Sequence, residues 1–336
     1  MNDPESRDSK DPWWRDFLIY GGATHILGIP VLVFLLGMVV MTAASRSKVR
    51  RSIAARTVVL YCAQDQFFAE PLLAKFAAQT GIRVKPVFDS EAVKTVGLAN
   101  RLLAERSNPV CEVFWGNEEF RTRQLAEAGV FLPTDGWSAF GRRSRQLVIA
   151  TNAPPGTSLP SSLLELTNAH YRGRVSLAFP LFGTTATHLL VLRQHWGESN
   201  WVSWCRALMV NTPFLEEGNS QVVKRVARGE AWVGLTDSDD IFAGQREGLP
   251  IAARPLGAES LLLPNTVGLV ARKDPPSKAA LRLVEYLRSP EVRNALMAAG
   301  ALENDGQPGG SLVPDWPRVL AERERATQQM KEIFAR

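Results

Sequence analysis

From Thr57 onward, short runs of β-branched and apolar residues alternate with segments of helical period. That alternation restricts the chain to an α/β design, a parallel-rich sheet with helices on both faces. Thr57-Val58-Val59-Leu60-Tyr61-Cys62 reads as a buried strand. Pro71 suits a first helical turn, Leu72, Leu73, Phe76 and Ala77 make one face, and Gly81 ends the helix. Residues 82–88 give a second strand, in which Pro86 implies an edge or a bulge. The unit recurs as a helix at about 91–106, a strand at 110–115 and a helix at about 117–128. A second α/β stretch has strands at 147–150 and 174–179, helices at about 185–196, 199–209 and 219–228, and a strand at 231–236. A strand near 261–271, helices at about 276–288 and 290–299, and a charged helix at about 316–335 complete the chain.

The segment before this is of another kind. Between Leu18 and Ala44 there is no Asp, Glu, Lys or Arg, and residues 26–44 are almost continuously apolar. That length suits a membrane-crossing helix, with Trp13, Trp14 and Tyr20 as an interfacial belt. Thr42-Ala43-Ala44 resembles a signal cleavage site, but the net negative residues 1–17 favour an uncleaved anchor. The expected division is therefore a polar leader at 1–17, an anchor at 18–44 and a basic linker at 45–56. The globular part follows from 57, and 316–336 is a C-terminal helix.

Charge and cysteine content exclude several functions. The net charge is +5, yet residues 45–56 alone carry five cations and no acid, so nucleic acid is not an expected partner. The three cysteines form no CxxC pair, and the first two, Cys62 and Cys111, lie in strand-like apolar runs and are expected to be buried, inert thiols. Walker, GxSxG and HExxH motifs are absent, so no catalytic residue is assigned. His188 and His195 share one helix face without a metal-spaced partner and are assigned to packing or surface.

The chain resembles the bacterial extracellular solute-binding proteins of ABC importers, in particular the ferric-iron-binding branch with its thiamine, polyamine and phosphosugar relatives. The resemblance runs from about 57 to 300. It rests on the ordered set Val58 to Asp65, Thr80-Gly81-Ile82-Arg83-Val84, Leu102 to Arg106 and Asn108-Pro109. Val113-Phe114-Trp115, Leu125 to Val130, Asn219-Ser220, Val226 to Ala231, Leu263 to Val267 and Tyr286 to Val292 complete it. It implies a type II periplasmic-binding-protein-like α/β fold, in which lobe 1 (57–146 plus 262–315) and lobe 2 (147–261) close on a small polar solute by hinge motion. It also implies a monomer outside the inner membrane, held through residues 18–44 and docking on an ABC permease. The positive-inside rule argues the other way, since it assigns the Arg46–Arg56 run to the cytoplasm. A sensory receptor of the same fold is the alternative, and a carboxylate-dependent enzyme a weaker one.

Ligands in open α/β sheets bind beyond the carboxyl ends of the strands, which selects the strand-to-helix loops. These supply Gln64 and Asp65, Asp89 and Ser90, Asn117 and Glu118, Gly183, Thr184 and Thr185, Asn219 and Ser220, and Asp237, Asp239 and Asp240. Each also suits ordinary helix capping. Three carboxylates at 237, 239 and 240 repel one another unless a cation or open water relieves them, and Asp65, Asp239 and Asp240 are the candidate cation ligands. Relatives that bind ferric ion carry two adjacent tyrosines where this chain has Asp239-Asp240, an acid near Asn117 and a histidine near Asp65. That departure argues against tyrosinate-type ferric binding and leaves no cofactor expected. The same aspartates suit an amine, with Trp115 or Trp232 as the aromatic face.

Overall fold

The alternation of apolar runs with helical segments folds as one mixed sheet covered on both faces, seen in a computed structural model that describes residues 33–36, 38–41, 57–88, 94–304 and 312–335. The chain divides into two units, Met1–Ala55 and Arg56–Arg336. In the first, residues 33–36 and 38–41 are helical with exposed side chains. Among the described residues no helix is long and apolar enough to cross a membrane. The rest of the expected anchor, the leader and the basic linker lie outside the described residues.

The second unit begins with β1 (Thr57–Cys62), α1 (Gln66–Thr80), β2 (Arg83–Val87), α2 (Lys94–Ala104), β3 (Val113–Gly116) and α3 (Glu119–Glu127). The long β4 (Trp137–Ala150) leads to β5 (Val175–Ala178), α4 (Gly183–Trp196), α5 (Glu198–Val210), β6 (Phe214–Glu216), α6 (Asn219–Ala227), β7 (Val233–Asp237) and α7 (Ser238–Arg246). The chain closes with β8 (Ile251–Pro255), β9 (Leu262–Leu269), α8 (Lys278–Leu287), α9 (Pro290–Ala299) and α10 (Trp316–Phe334). Strand order is β2-β1-β3-β9-β4-β7-β5-β6, with β8 also on β4.

Strand β4 joins the two halves of the sheet. Residues Trp137 to Ser144 pair antiparallel with β9, whereas Arg145 to Ile149 pair antiparallel with β7. Between Phe140 and Arg143 the register slips at a bulge, where Gly141 takes φ 56°, a conformation that favours glycine. The sheet is mixed where repeated βα units suggest parallel strands. β1 pairs parallel with β2 and β3, and β5 with β6 and β7, but β9, β4 and β8 run antiparallel. Pro86 is accommodated because β2 is an edge strand. Helix α1 starts at Gln66, so Pro71 lies inside it rather than in its first turn.

Period-2 alternation puts Val58, Leu60 and Cys62 against α1, α8 and α9, and Tyr61 and Phe114 against α2 and α3. In the other half, Leu147, Ile149, Val233 and Leu235 face α4, α5 and α10, while Val148 and Ala150 face α6 and α7. Helix α6 comes so close to β7 that a Cβ on Gly234 would sit 2.4 Å from Val222. The thiols of Cys62, Cys111 and Cys205 are free and buried, and burial pushes Cys111 up to about 12.

His188 of α4 is fully buried, and its Nε2 lies 2.7 Å from the Glu259 carbonyl. Burial, and then the nearby Arg145 charge, pull its pKa down to about 3. An unfolded histidine titrates near 6.5, so acidification from about 6.5 protonates the unfolded chain first and removes stability until the folded group titrates near 3. The raised carboxyls of Glu118 and Glu259 slope the other way, so the difference between two proteins isolates the histidine. Chemical denaturation between pH 7 and 4 should show wild type losing up to about 1.4 kcal/mol per pH unit relative to His188→Gln. Parallel profiles would remove this role.

Candidate functional site

The core of the site is a carboxylate held between two arginines. Arg143 and Arg145 are two residues apart on β4 and so point to one face. Asp237, the last residue of β7, stands opposite Arg145 in the ladder. Arg145 Nη1 donates to Asp237 Oδ1 at 2.6 Å, and Arg143 donates to Oδ2 from Nη2 at 3.2 Å and Nε at 3.3 Å. All three side chains are almost wholly buried. Burial alone would raise the Asp237 carboxyl, but the Arg145 and Arg143 charges hold it below the usual carboxylate range. For Arg143, burial opposes the charge, and Asp239, Asp237, Asp65 and Asp240 together keep it firmly protonated.

Polar groups complete this cluster. Arg145 donates to Thr184 Oγ1, Thr185 Oγ1 and Asn219 Oδ1 at 3.3, 3.1 and 3.2 Å. Thr184 donates to Asp237 Oδ2 at 2.9 Å, and Asn219 Nδ2 donates to Thr184 Oγ1 at 3.1 Å. Arg143 also reaches the Asn117 carbonyl at 2.7 Å. Neither α4, α6 nor α7 is capped by a side chain at its start. Three helix N-termini thus point their first N–H groups toward this region.

Beside the cluster lies a cavity of about 450 Å³ between the start of α1 and α7, lined by Asp65, Phe67, Phe68, Ser220, Asp239 and Asp240 among others. Asp239 touches both features, with its Oδ2 3.4 Å from Arg143 Nε. Oxygens of Asp237, Asp239 and Asp240 lie within 4.8 Å of one another. Asp65 lines the same cavity as Asp239 and Asp240 but is not part of that group. The guanidinium of Arg143 beside Asp237 and Asp239 opposes a compact, highly charged ion there.

The loop residues selected from sequence therefore separate into three sets. Asp65, Ser220, Asp239 and Asp240 line the cavity, whereas Thr184, Thr185, Asn219 and Asp237 converge on Arg145 and Asn117 on Arg143. Gly183 opens α4, and Gln64 is buried with its carbonyl 3.7 Å from Cys62 Sγ. Glu118 is fully enclosed; it accepts from Phe120 N, Arg121 N and Thr187 Oγ1, so its oxygens serve packing. Asp89 and Ser90 lie outside the described residues. Trp115 is buried in the sheet core, and Trp232 packs against Arg174 and His170, so the aromatic wall comes from Phe67 and Phe68 instead. The two arginines were not legible as site residues; their signal is a pair of charges at strand spacing immediately before the apolar run 147–150.

The sequence profile of the family described as bacterial extracellular solute-binding protein matches residues 58–301. The chain belongs to that family. No curated protein matches this solute-binding protein in sequence. Among solved structures it resembles iron-bound HitA from Pseudomonas aeruginosa, at 19% identity and TM-score 0.70, over 82% of this chain and 99% of that one. Apo ferric ion-binding protein A of Pasteurella haemolytica is 17% identical with TM-score 0.69, over 83% and 98%. AfuA from Actinobacillus pleuropneumoniae, solved with fructose-6-phosphate, is 18% identical with TM-score 0.69, over 83% and 98%. The solute-binding protein and these neighbours are binding proteins, not enzymes. Its periplasmic-binding-protein-like α/β fold and extracellular family agree with a globular unit outside the cytoplasm. Three tyrosines are described and each is engaged elsewhere: Tyr61 with Glu105, Tyr171 with the Ser158 carbonyl and Tyr286 with the Leu72 carbonyl.

Removing Asp237 strands the buried Arg145 and leaves Arg143 paired with Asp239. Asp237→Ala should lower unfolding stability by about 3–5 kcal/mol in denaturant titrations, and Arg145→Met on that background should restore part of it. A loss below about 1 kcal/mol would show that the cluster is not a coupled unit.

Proposed function

We propose that this protein is the solute receptor of an ABC-type importer, that its cargo is a small organic cation, and that it delivers this cargo to a membrane permease. One observation carries the cargo assignment. Asp65, Asp239 and Asp240 share a cavity with the rings of Phe67 and Phe68, while Arg143 and Arg145 are already engaged by Asp237. Carboxylates and aromatic faces together favour a desolvated ammonium group over a bare metal ion or an anion. A phosphosugar would have to displace Asp237 from Arg143 and Arg145. A ferric ion would lack tyrosine oxygens and meet the Arg143 guanidinium.

In this reading the halves built on 57–146 plus 262–315 and on 147–261 act as lobes, and closure brings α1 and α7 together over the amine. Asp65 and Phe68 approach from one side, Asp239, Asp240 and Ser220 from the other. Binding energy shared across both walls makes the closed form the liganded one.

Calorimetric titration with primary diamines, polyamines and quaternary ammonium compounds tests this, with fructose-6-phosphate and ferric citrate as comparisons. At least one amine should bind, and Asp65→Asn or Asp240→Asn should weaken it by about tenfold or more, the worth of one charge-assisted contact. Binding of the sugar phosphate or ferric citrate alone, or amine binding indifferent to both substitutions, would overturn the assignment.

A further inference from the structure

We propose that the end of the globular unit from which β1 starts is a docking face for anionic phospholipid headgroups. The proposal rests on residues 18–44 being a membrane anchor. Strand registers define this end without reference to the cargo site. Leu60 of β1 lies beside Val113 of β3, and Val113 lies beside Leu269 of β9, which runs the opposite way. The start of β1, the loop before β3 and the loop after β9 therefore share one edge of the sheet, and Asp65 lies beyond the other edge. Strand β4 starts at this same edge, since Trp137 pairs with Gly268.

Two adjoining depressions occupy that edge and share Ala271. The first, about 340 Å³, is formed by the loops 106–109 and 271–274 and carries Arg106, Arg272 and Lys273 against the single acid Asp274. One N–H of Arg106 donates to the Ala128 carbonyl at 2.9 Å, which fixes that guanidinium at the rim. The second, about 530 Å³, carries Phe131, Leu132, Pro133 and Trp137, with Asp135 as its acid. The Arg123 guanidinium stacks 5.3 Å from the Trp137 ring. Val110, 50% exposed, protrudes between the basic loop and β3. Basic groups beside half-buried tryptophan and proline are the composition of a protein surface at lipid headgroups, where phosphate meets cation and the indole sits at the boundary.

Chain connectivity selects the occupant. Thr57, the first residue of β1, follows directly on residues 45–56, whose five cations lie between it and the apolar run. The chain therefore enters the globular unit at this edge, so the five cations of residues 45–56 are joined in sequence to the same edge that carries Arg106, Arg272 and Lys273. Both sets of charge have the same sign, which attracts an anionic bilayer and gives no comparable attraction to a neutral one.

The test uses full-length protein with Val110→Cys, the three native thiols being buried. A nitroxide on that cysteine is compared in vesicles of phosphatidylcholine and of phosphatidylcholine with equal phosphatidylglycerol. Collisions with dissolved oxygen relative to a water-soluble nickel chelate report its depth. Lipid exposure at 110 should rise in the anionic vesicles, and Arg272→Glu with Lys273→Glu, both on an exposed loop, should abolish the rise. A nitroxide at Val210→Cys, four residues before β6 in the other half of the sheet, should stay aqueous throughout. An aqueous signal at 110 in both vesicle types, from protein that resists alkaline carbonate extraction, overturns the docking face and leaves the anchor standing. Release by carbonate overturns the anchor itself, and the docking face with it.

Discussion

Two guanidiniums buried around one carboxylate set the terms for everything near the strand ends. Neither arginine could be buried alone, because a lone ion in a low-dielectric interior costs far more than a side chain's packing returns. Asp237 answers both at once, and its position at the end of β7 opposite Arg145 makes the arrangement a consequence of sheet register. Because β4 serves both halves of the sheet, the same contacts tie one half to the other. Arg143 extends the link to the Asn117 carbonyl after β3, and Ser144 N to the Ser238 hydroxyl at the start of α7.

The electrostatics of the cavity follow from this pairing. With Arg145 engaged by Asp237 and Arg143 shared between Asp237 and Asp239, the carboxylates of Asp65, Asp240 and Glu247 also line the cavity, with Arg246 as the cation of its lining. The relatives of similar fold hold iron or a sugar phosphate, so the fold by itself does not choose the charge of the cargo. In the proposed reading the choice lies in which side chain occupies the arginine fork. A carboxylate belonging to the protein leaves the cavity acidic; a carboxylate or phosphate belonging to the cargo would leave Asp237 without its arginine partners, with Thr184 alone.

Much of the scaffold was legible because its signals are local. β1 and the helices after 183, 198 and 219 announce themselves by uninterrupted apolar runs or by helical spacing. The middle of β4 did not, since Gly141-Arg142-Arg143-Ser144-Arg145 contains no apolar side chain, and its strand character comes from pairing with β9 and β7. Likewise β6 has three residues, and β8 ends on Pro255. At the site, strand-end logic found Asp65, Ser220, Asp239 and Asp240, which share the cavity, yet it also selected Glu118, which is sealed inside the fold. A capping acid and a cavity acid look alike in one dimension. The arginines escaped for the opposite reason: burial of a charge depends on a partner 92 or 94 residues away.

The most direct measurement is native mass spectrometry of protein purified without unfolding, followed by release and identification of whatever it carries. The account predicts an organic amine whose retention is lost in Asp65→Asn. Retention of a phosphorylated sugar or of iron, with Asp237 displaced from Arg143 and Arg145 in a structure of that complex, would contradict it.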